Sequence, residues 1–338
     1  MAVVDDVGSF PLPGWISREE FDRLYPVVRE EISRGRRDSE GYRIFRGVIL
    51  ESFERKMESG VGVITYPQHY DMHRQFMEPI ELYQKEPFLM EGQKAFLPEI
   101  EVIREGAKEL YEKKGEKIRL KACVTGPVEL YLRTDFGTNI YKDVLLNLAK
   151  SVNAFLKNSI VNTPYIETES LSIDEPSIGF TDLLNIEKED IIDVLERAVK
   201  GLGPEVQIHL HTLKSADIAL HAEGIDAITG EFAASPENMD LIRKKDLDAH
   251  DKFLRAGVTR TNIDSIIAEH LDMGVEPKPM ELVDSKDAIA GRVRKLVSLF
   301  GDRISSWGPD CGLGSWPTQE VASEVLKRTA EVVRESFK

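Results

Sequence analysis

A chain of 338 residues can bury a substantial core, as one large α/β domain or two ordinary ones, and 41% apolar residues without a low-complexity tract exclude a disordered polymer. Acidic residues outnumber basic ones 59 to 44, a formal charge of −15, which repels phosphate backbones and anionic membranes and removes nucleic acid from the expected partners. Two cysteines are too few for a disulfide framework, no stretch approaches about 18 consecutive apolar residues, and MAVVDDVGSF lacks the parts of a signal peptide, so a cytoplasmic protein with no membrane partner is expected.

In chain order, short apolar runs of β type alternate with longer amphipathic segments. The runs are Val3 to Gly8, Val61 to Tyr66, Ile118 to Val124, Tyr165 to Ile173, Val206 to His211, Ile225 to Glu231, Leu254 to Thr259 and Arg303 to Trp307. Residues 141–158, 187–201 and 317–337 carry apolar side chains at helical spacing. Strand and helix in alternation imply a parallel sheet with crossover helices, and eight units point to a closed (β/α)8 TIM barrel. The connections at about 11–60 and 67–117 are long and the later ones compact, and no Gly/Ser/Pro linker divides the chain, so residues 1–338 read as a single barrel domain with long insertions after strands 1 and 2. The alternative, an open doubly wound sheet, lacks its usual G-x-G-x-x-G after the first strand.

Barrel enzymes carry their chemistry at the C-terminal ends of the strands. Those positions here are Gly8-Ser9, Tyr66, Thr125-Gly126, Asp174-Glu175, His209 and His211, Glu231, Asp264 and Asp310-Cys311. His209 and His211 are two apart, so on a strand they face the same way. Imidazole, carboxylate and thiolate form a plausible zinc set with a position open for substrate. Hydrogen-bonded core histidines and a small buried cysteine are the competing reading of the same residues. Asp174 and Glu175 follow an apolar-rich strand, where two carboxylates call for a cationic partner: a substrate ammonium, or an internal Arg or Lys. The runs Arg34 to Arg37 and Arg243 to Lys245 read as solvated helix faces.

These pieces together resemble the catalytic C-terminal domain of the cobalamin-independent methionine synthase family, in particular its short archaeal and bacterial members. The matching segments are Val7-Gly8-Ser9-Phe10-Pro11, Thr125-Gly126-Pro127, Ile173-Asp174-Glu175-Pro176, Gln207-Ile208-His209-Leu210-His211, Glu231 and Pro309-Asp310-Cys311-Gly312-Leu313, in the family's order across nearly the whole chain. The resemblance implies a zinc-dependent methyltransferase that moves a methyl group to a thiol, in the family homocysteine, giving methionine. It places His211, Glu231 and Cys311 on zinc ligands. Val7, Gly8 and Ser9 fall on the segment that holds the amino-acid carboxylate, and Asp174 on a residue that holds the ammonium.

Three positions depart from the family pattern. The fourth ligand, a cysteine, is replaced by Leu213, with His209 as the candidate substitute. A Gly-Glu pair that helps hold the ammonium is replaced by Thr65-Tyr66, with Gln68 or Glu175 as candidates to compensate. The proton-donating histidine after the seventh strand is replaced by Asp264, a weak general acid at its ordinary pKa. A folate leaving group needs that proton, so a methylcorrinoid, free or held by a corrinoid protein, is the expected donor. Two other readings stand beside this one: a metal-free decarboxylase or lyase resembling the uroporphyrinogen decarboxylases, gripping carboxylates with Arg34, Arg36, Arg37 and Arg43, and a non-catalytic barrel that binds a corrinoid protein.

Overall fold

The structure, a computed structural model, describes residues 2–136, 139–180 and 186–338. Ten strands occur among them: β1 Val3–Val4, β2 Val63–Thr65, β3 Gln84–Glu86, β4 Leu89–Met90, β5 Ile118–Thr125, β6 Ile166–Asp174, β7 Glu205–His209, β8 Ala227–Glu231, β9 Phe253–Thr259 and β10 Ile304–Pro309. Eight of them form one parallel sheet in the order β1-β10-β9-β8-β7-β6-β5-β2. Its two ends meet through the parallel bridges Asp5–Val63 and Ser9–Gln68 and the bond from Gly62 N to Val4 O. The result is the (β/α)8 TIM barrel expected from the alternation.

Each long connection has structure of its own. The first forms the helices Arg18–Ser33 and Glu40–Glu58, started by Ser17 and Ser39, whose hydroxyls accept from Glu20 N and Tyr42 N. The second forms the helix Arg74–Leu82, the β3–β4 hairpin and the helix Pro98–Lys114, which stops at Gly115 with φ 79°. The hairpin was not expected, because β3 is fully exposed and lacks the apolar alternation that marks a strand.

Some expected boundaries move. The first run stops at Val4, since Asp6 turns its carboxylate to Thr65 N and Gly8 takes φ 148°, which an extended run of L-residues does not adopt. The fifth ends at His209, paired with Thr229, so His211 lies in the loop beyond the strand.

Outward strand residues such as Leu171, Ile173, Val206 and Ile208 are buried. Inside the barrel the core is polar: Asp5 accepts from Lys121 Nζ at 2.9 Å and Arg255 Nε at 2.7 Å, and Lys121 also donates to Gln207 Oε1 at 2.6 Å. Arg255 is fully buried and the other three nearly so. Among the described residues no helix is long and apolar enough to cross a membrane.

Candidate metal and substrate site

The C-terminal mouth of the barrel holds a cavity of about 720 Å³, lined by residues including Val7, Ser9, Gln68, Glu129, Arg133, Asp174, His209, His211 and Cys311. At its floor, β7 delivers His209, the loop after it His211, the end of β8 Glu231 and the loop after β10 Cys311. One ligand atom from each of these four side chains lies within 4.8 Å of all the others. Cys311 Sγ is 3.5 Å from His209 Nε2 and 3.7 Å from His211 Nε2, and Glu231 Oε1 is 4.0 and 3.6 Å from the same two nitrogens. In a tetrahedral zinc site, bonds of roughly 2.0–2.3 Å put neighbouring ligand atoms roughly 3.3–3.6 Å apart. The donor types suit zinc, and three of these four separations lie near that spacing, His209 to Glu231 being wider at 4.0 Å.

Two buried side chains hold this floor in place. Asn238, fully buried, donates to His211 O at 3.1 Å and Glu231 O at 2.8 Å while its Oδ1 accepts from Leu213 N at 2.9 Å. Asp310 accepts from Ala233 N and Ala234 N, joining the loop after β8 to the one that carries Cys311. Leu213 opens a short 3-10 turn and is buried, 1% exposed, outside the donor cluster.

Without a cation Glu231 and Cys311 sit in the wrong charge state for ligation. Burial, reinforced by Asp310, raises Glu231 to about 8, and burial with Glu231 alongside pushes the Cys311 thiol far up. Burial drives His209 well down, as do neighbouring His211 and Arg255. A divalent ion reverses the preference of Glu231 and Cys311, favouring carboxylate and thiolate, and takes His209 as the neutral imidazole it already is.

Of the other expected residues, Val7, Ser9 and Asp174 line the cavity. Ser9 is fixed to the loop after β10: its O accepts from Leu313 N and its Oγ from Gly314 N. Asp174 accepts from Ser172 Oγ at 2.8 Å, and burial raises its pKa to about 6. Gly8 lies behind the cavity wall, where a Cβ would meet Cys123 Sγ at 2.8 Å. Tyr66 is fully buried and donates to Cys123 O, away from the cavity lining. Glu175 is also turned away. Its two oxygens accept from Val128 N and Glu129 N at the start of the helix Pro127–Arg133, so its partner is a helix N-terminus, where an internal cation or a substrate ammonium was expected. Asp264 is exposed in the first turn of the helix Ile263–Asp272 and does not line the cavity.

Glu129 and Asn238 were missed by the sequence reading. Glu129 is buried in the cavity wall and accepts from Arg133 and Ser177. The Gly-Pro that starts its helix after a strand end could have flagged it. Asn238 follows a Ser-Pro turn and has no local signal.

No protein-family model matches the chain. The methionine synthase of Saccharolobus solfataricus is 26% identical over 232 residues, 65% of this chain and 60% of that protein. That of Sulfolobus acidocaldarius is 23% identical over 228 residues, 65% and 58% of the two chains. The chain thus aligns with about three fifths of the length of these relatives. Among solved structures, a B12-independent methionine synthase from Shewanella sp. W3-18-1 in complex with selenomethionine superposes with a TM-score of 0.58 at 15% identity, over 100% of this chain and 99% of that one. A putative B12-independent methionine synthase from Listeria monocytogenes gives 0.58 at 17%, over 99% and 98%. A methyltransferase from Methanosarcina mazei gives 0.54 at 14%, over 100% and 94%. Identities this low establish the shared barrel alone. The sequence relationship to the archaeal enzymes and the common fold together bear out the resemblance to the cobalamin-independent methionine synthase family that the strand-end motifs carry.

Proposed function

We propose that this protein is a zinc-dependent methyltransferase that transfers a methyl group to a small thiol, homocysteine or a close relative, from a methylcorrinoid. The observation that carries the reading is the convergence of His209, His211, Glu231 and Cys311 at the mouth of the barrel. Zinc bound there would supply the positive charge that lowers a thiol's pKa, making a thiolate available at neutral pH.

The chain's own residues do the rest. Val7, Ser9 and Asp174 line the same cavity as His209, His211 and Cys311, so a bound amino-acid thiol is oriented with its sulfur toward the floor. The thiol proton goes to solvent, the sulfur lone pair forms the new S–C bond, and the electron pair of the broken methyl–cobalt bond stays on the corrinoid. That departure needs no general acid, which suits a site where Asp264 stands outside the cavity. Within the arginine-rich segment of the alternative decarboxylase reading, Arg34 pairs with Glu30, and Arg37 with Glu101 and Glu105, none of them in the cavity lining.

The test is a methyl-transfer assay with zinc-loaded protein, methylcobalamin and a panel of thiols that includes homocysteine, alongside elemental analysis. Stoichiometric zinc and a thioether product are expected. Absence of transfer to every thiol by metal-loaded protein would sink the reading. Absence of metal together with tight binding of a corrinoid protein would favour a non-catalytic barrel.

A further inference from the structure

We infer that Gln68 is a specificity-determining residue: its side-chain carbonyl oxygen is held facing the cavity as an acceptor for the amino group of the thiol substrate. This deepens the proposed function and rests on it.

Gln68 is buried, 7% exposed, yet lines the cavity together with Asp174 and Ser9. Its backbone pairs with Ser9 across the seam of the barrel, with Gln68 N donating to Gly8 O. Its amide makes one hydrogen bond, Nε2 to Gln75 Oε1 at 2.8 Å. No group of the protein donates to its Oε1 among the described residues, and that oxygen is not among the unpaired atoms sealed from solvent, so an open acceptor is left on a residue that lines the cavity.

Hydrogen-bond accounting fixes which end of the amide that is. Gln75 Nε2 donates to Glu99 Oε1 at 3.0 Å and to the Tyr25 hydroxyl at 3.1 Å, while that hydroxyl donates to Glu99 Oε2 at 3.2 Å. Both N–H groups of Gln75 are therefore committed to one side. With Glu99 ionised and the Tyr25 hydroxyl donating to it, turning Gln75 over would set its oxygen against a carboxylate and the lone pairs of Tyr25. Its Oε1 must face Gln68, and only the NH2 of Gln68 can meet it. Glu99 and Tyr25, both at most 2% exposed, thus determine from within the protein that Gln68 shows the cavity an acceptor.

That acceptor has company. Asp174 and Glu129 line the same cavity. The two arginines of the lining are already engaged, Arg133 with Glu129 and Arg18 with His69 O and Asp22. A wall that offers oxygen acceptors is complementary to a ligand group made only of donors, and a primary ammonium is such a group. With Glu175 spent on a helix N-terminus and Tyr66 in the core, Gln68 is the residue after β2 that meets the amine. A neutral acceptor in place of a carboxylate lets the site select the amino group with less added negative charge beside Asp174. Gln75 is a positioning residue, acting only through the orientation of Gln68.

The experiment measures binding of two probes to zinc-loaded protein by calorimetry: homocysteine, and 4-mercaptobutanoate, which is the same molecule without its amino group. Wild-type protein is expected to bind homocysteine more tightly. Gln68→Leu should weaken homocysteine roughly ten- to a hundredfold, the range for one hydrogen bond to a charged group, and leave 4-mercaptobutanoate within about twofold. Gln75→Met, which frees the amide to turn, should shift homocysteine in the same direction without touching the other probe, a selectivity that a general loss of packing does not produce. Gln68→Met, closer in shape, repeats the measurement if the leucine variant fails to fold. Equal weakening of both probes, no weakening of either, or a wild-type protein blind to the amino group would overturn the assignment while leaving thiol binding intact. A wild-type protein that binds neither thiol would overturn the proposed function and this inference with it.

Discussion

At the scale of single residues, the floor of the cavity makes a claim that substitution can check. If His209 completes the donor set, His209→Ala should reduce zinc affinity as severely as His211→Ala, whereas a merely packed histidine would leave affinity near wild type, as competition with a chelator of known strength will show. Asn238 touches no donor atom but holds the backbone carbonyls of His211 and Glu231, so Asn238→Ala should weaken zinc roughly ten- to a hundredfold. Protons give a second readout. At pH 7 the metal-free protein keeps Glu231, with a pKa of about 8, and Cys311, higher still, in their neutral forms. Both must ionise to ligate, so zinc should displace about two protons at that pH. Titration calorimetry in buffers of different ionisation heat counts them, and apparent affinity should climb with pH by about two protons below 8 and by about one above it, where Glu231 has ionised and Cys311 has not. His211, Glu231 and Cys311 could be proposed from the sequence because a strand end is a place where polar side chains have few structural reasons to be. His209 was legible only as a candidate, since alternation along a strand says which face it shares and nothing about how far the loop carries His211.

At the scale of elements, Glu175 explains why the turn after β5 is Gly126-Pro127. Its carboxylate closes the first turn of the helix Pro127–Arg133, and a Cβ at position 126 would sit 2.2 Å from it. Gly126→Ala should therefore expel the carboxylate. Glu175→Ala leaves two buried amides unpaired and should lower the unfolding free energy by about 1–3 kcal/mol, measurable by denaturant titration. A run of adjacent acids does not say which one faces the cavity: Asp174 and Glu175 differ by one residue and end on opposite duties, one in the lining and one beneath a helix. The eight strands could be found from apolar periodicity because their outward faces are covered by helices. The exposed hairpin β3–β4 could not, since nothing apolar marks it.

At the scale of the molecule, the barrel is held from inside by charge. Asp5, lowered in pKa by Arg255 and Lys121 against the cost of its burial, joins β1 to β5 and β9. Asp5→Ala strands two buried cations and should cost about 3–5 kcal/mol, enough to show as a large fall in thermal midpoint. The wider pattern of buried acids sets a pH dependence. Asp174 and Asp310 near 6, Glu99 near 7, and Glu175 and Glu231 near 8 all hold their protons more tightly folded than unfolded. Through the window from about 4.5 to 8 the folded state carries more of these protons, so their contribution to stability falls as pH rises. His69, lowered to about 3, and His209 act in the opposite sense, and their gain is complete once pH passes about 6.5. Metal-free protein should thus lose stability between about pH 6.5 and 8, and zinc should flatten the part due to Glu231, as melting curves across that range will reveal.

A donor set of two imidazoles, one carboxylate and one sulfur also has a consequence for which ions can compete for the pocket. A second thiolate would bias such a site toward soft ions such as cadmium or copper(I), and exchanging that sulfur for the nitrogen of His209 moves the preference toward the borderline ions of the first transition row. Cobalt(II) should then enter readily and report, through a tetrahedral visible spectrum with a single sulfur-to-metal charge-transfer band, how many sulfurs surround it.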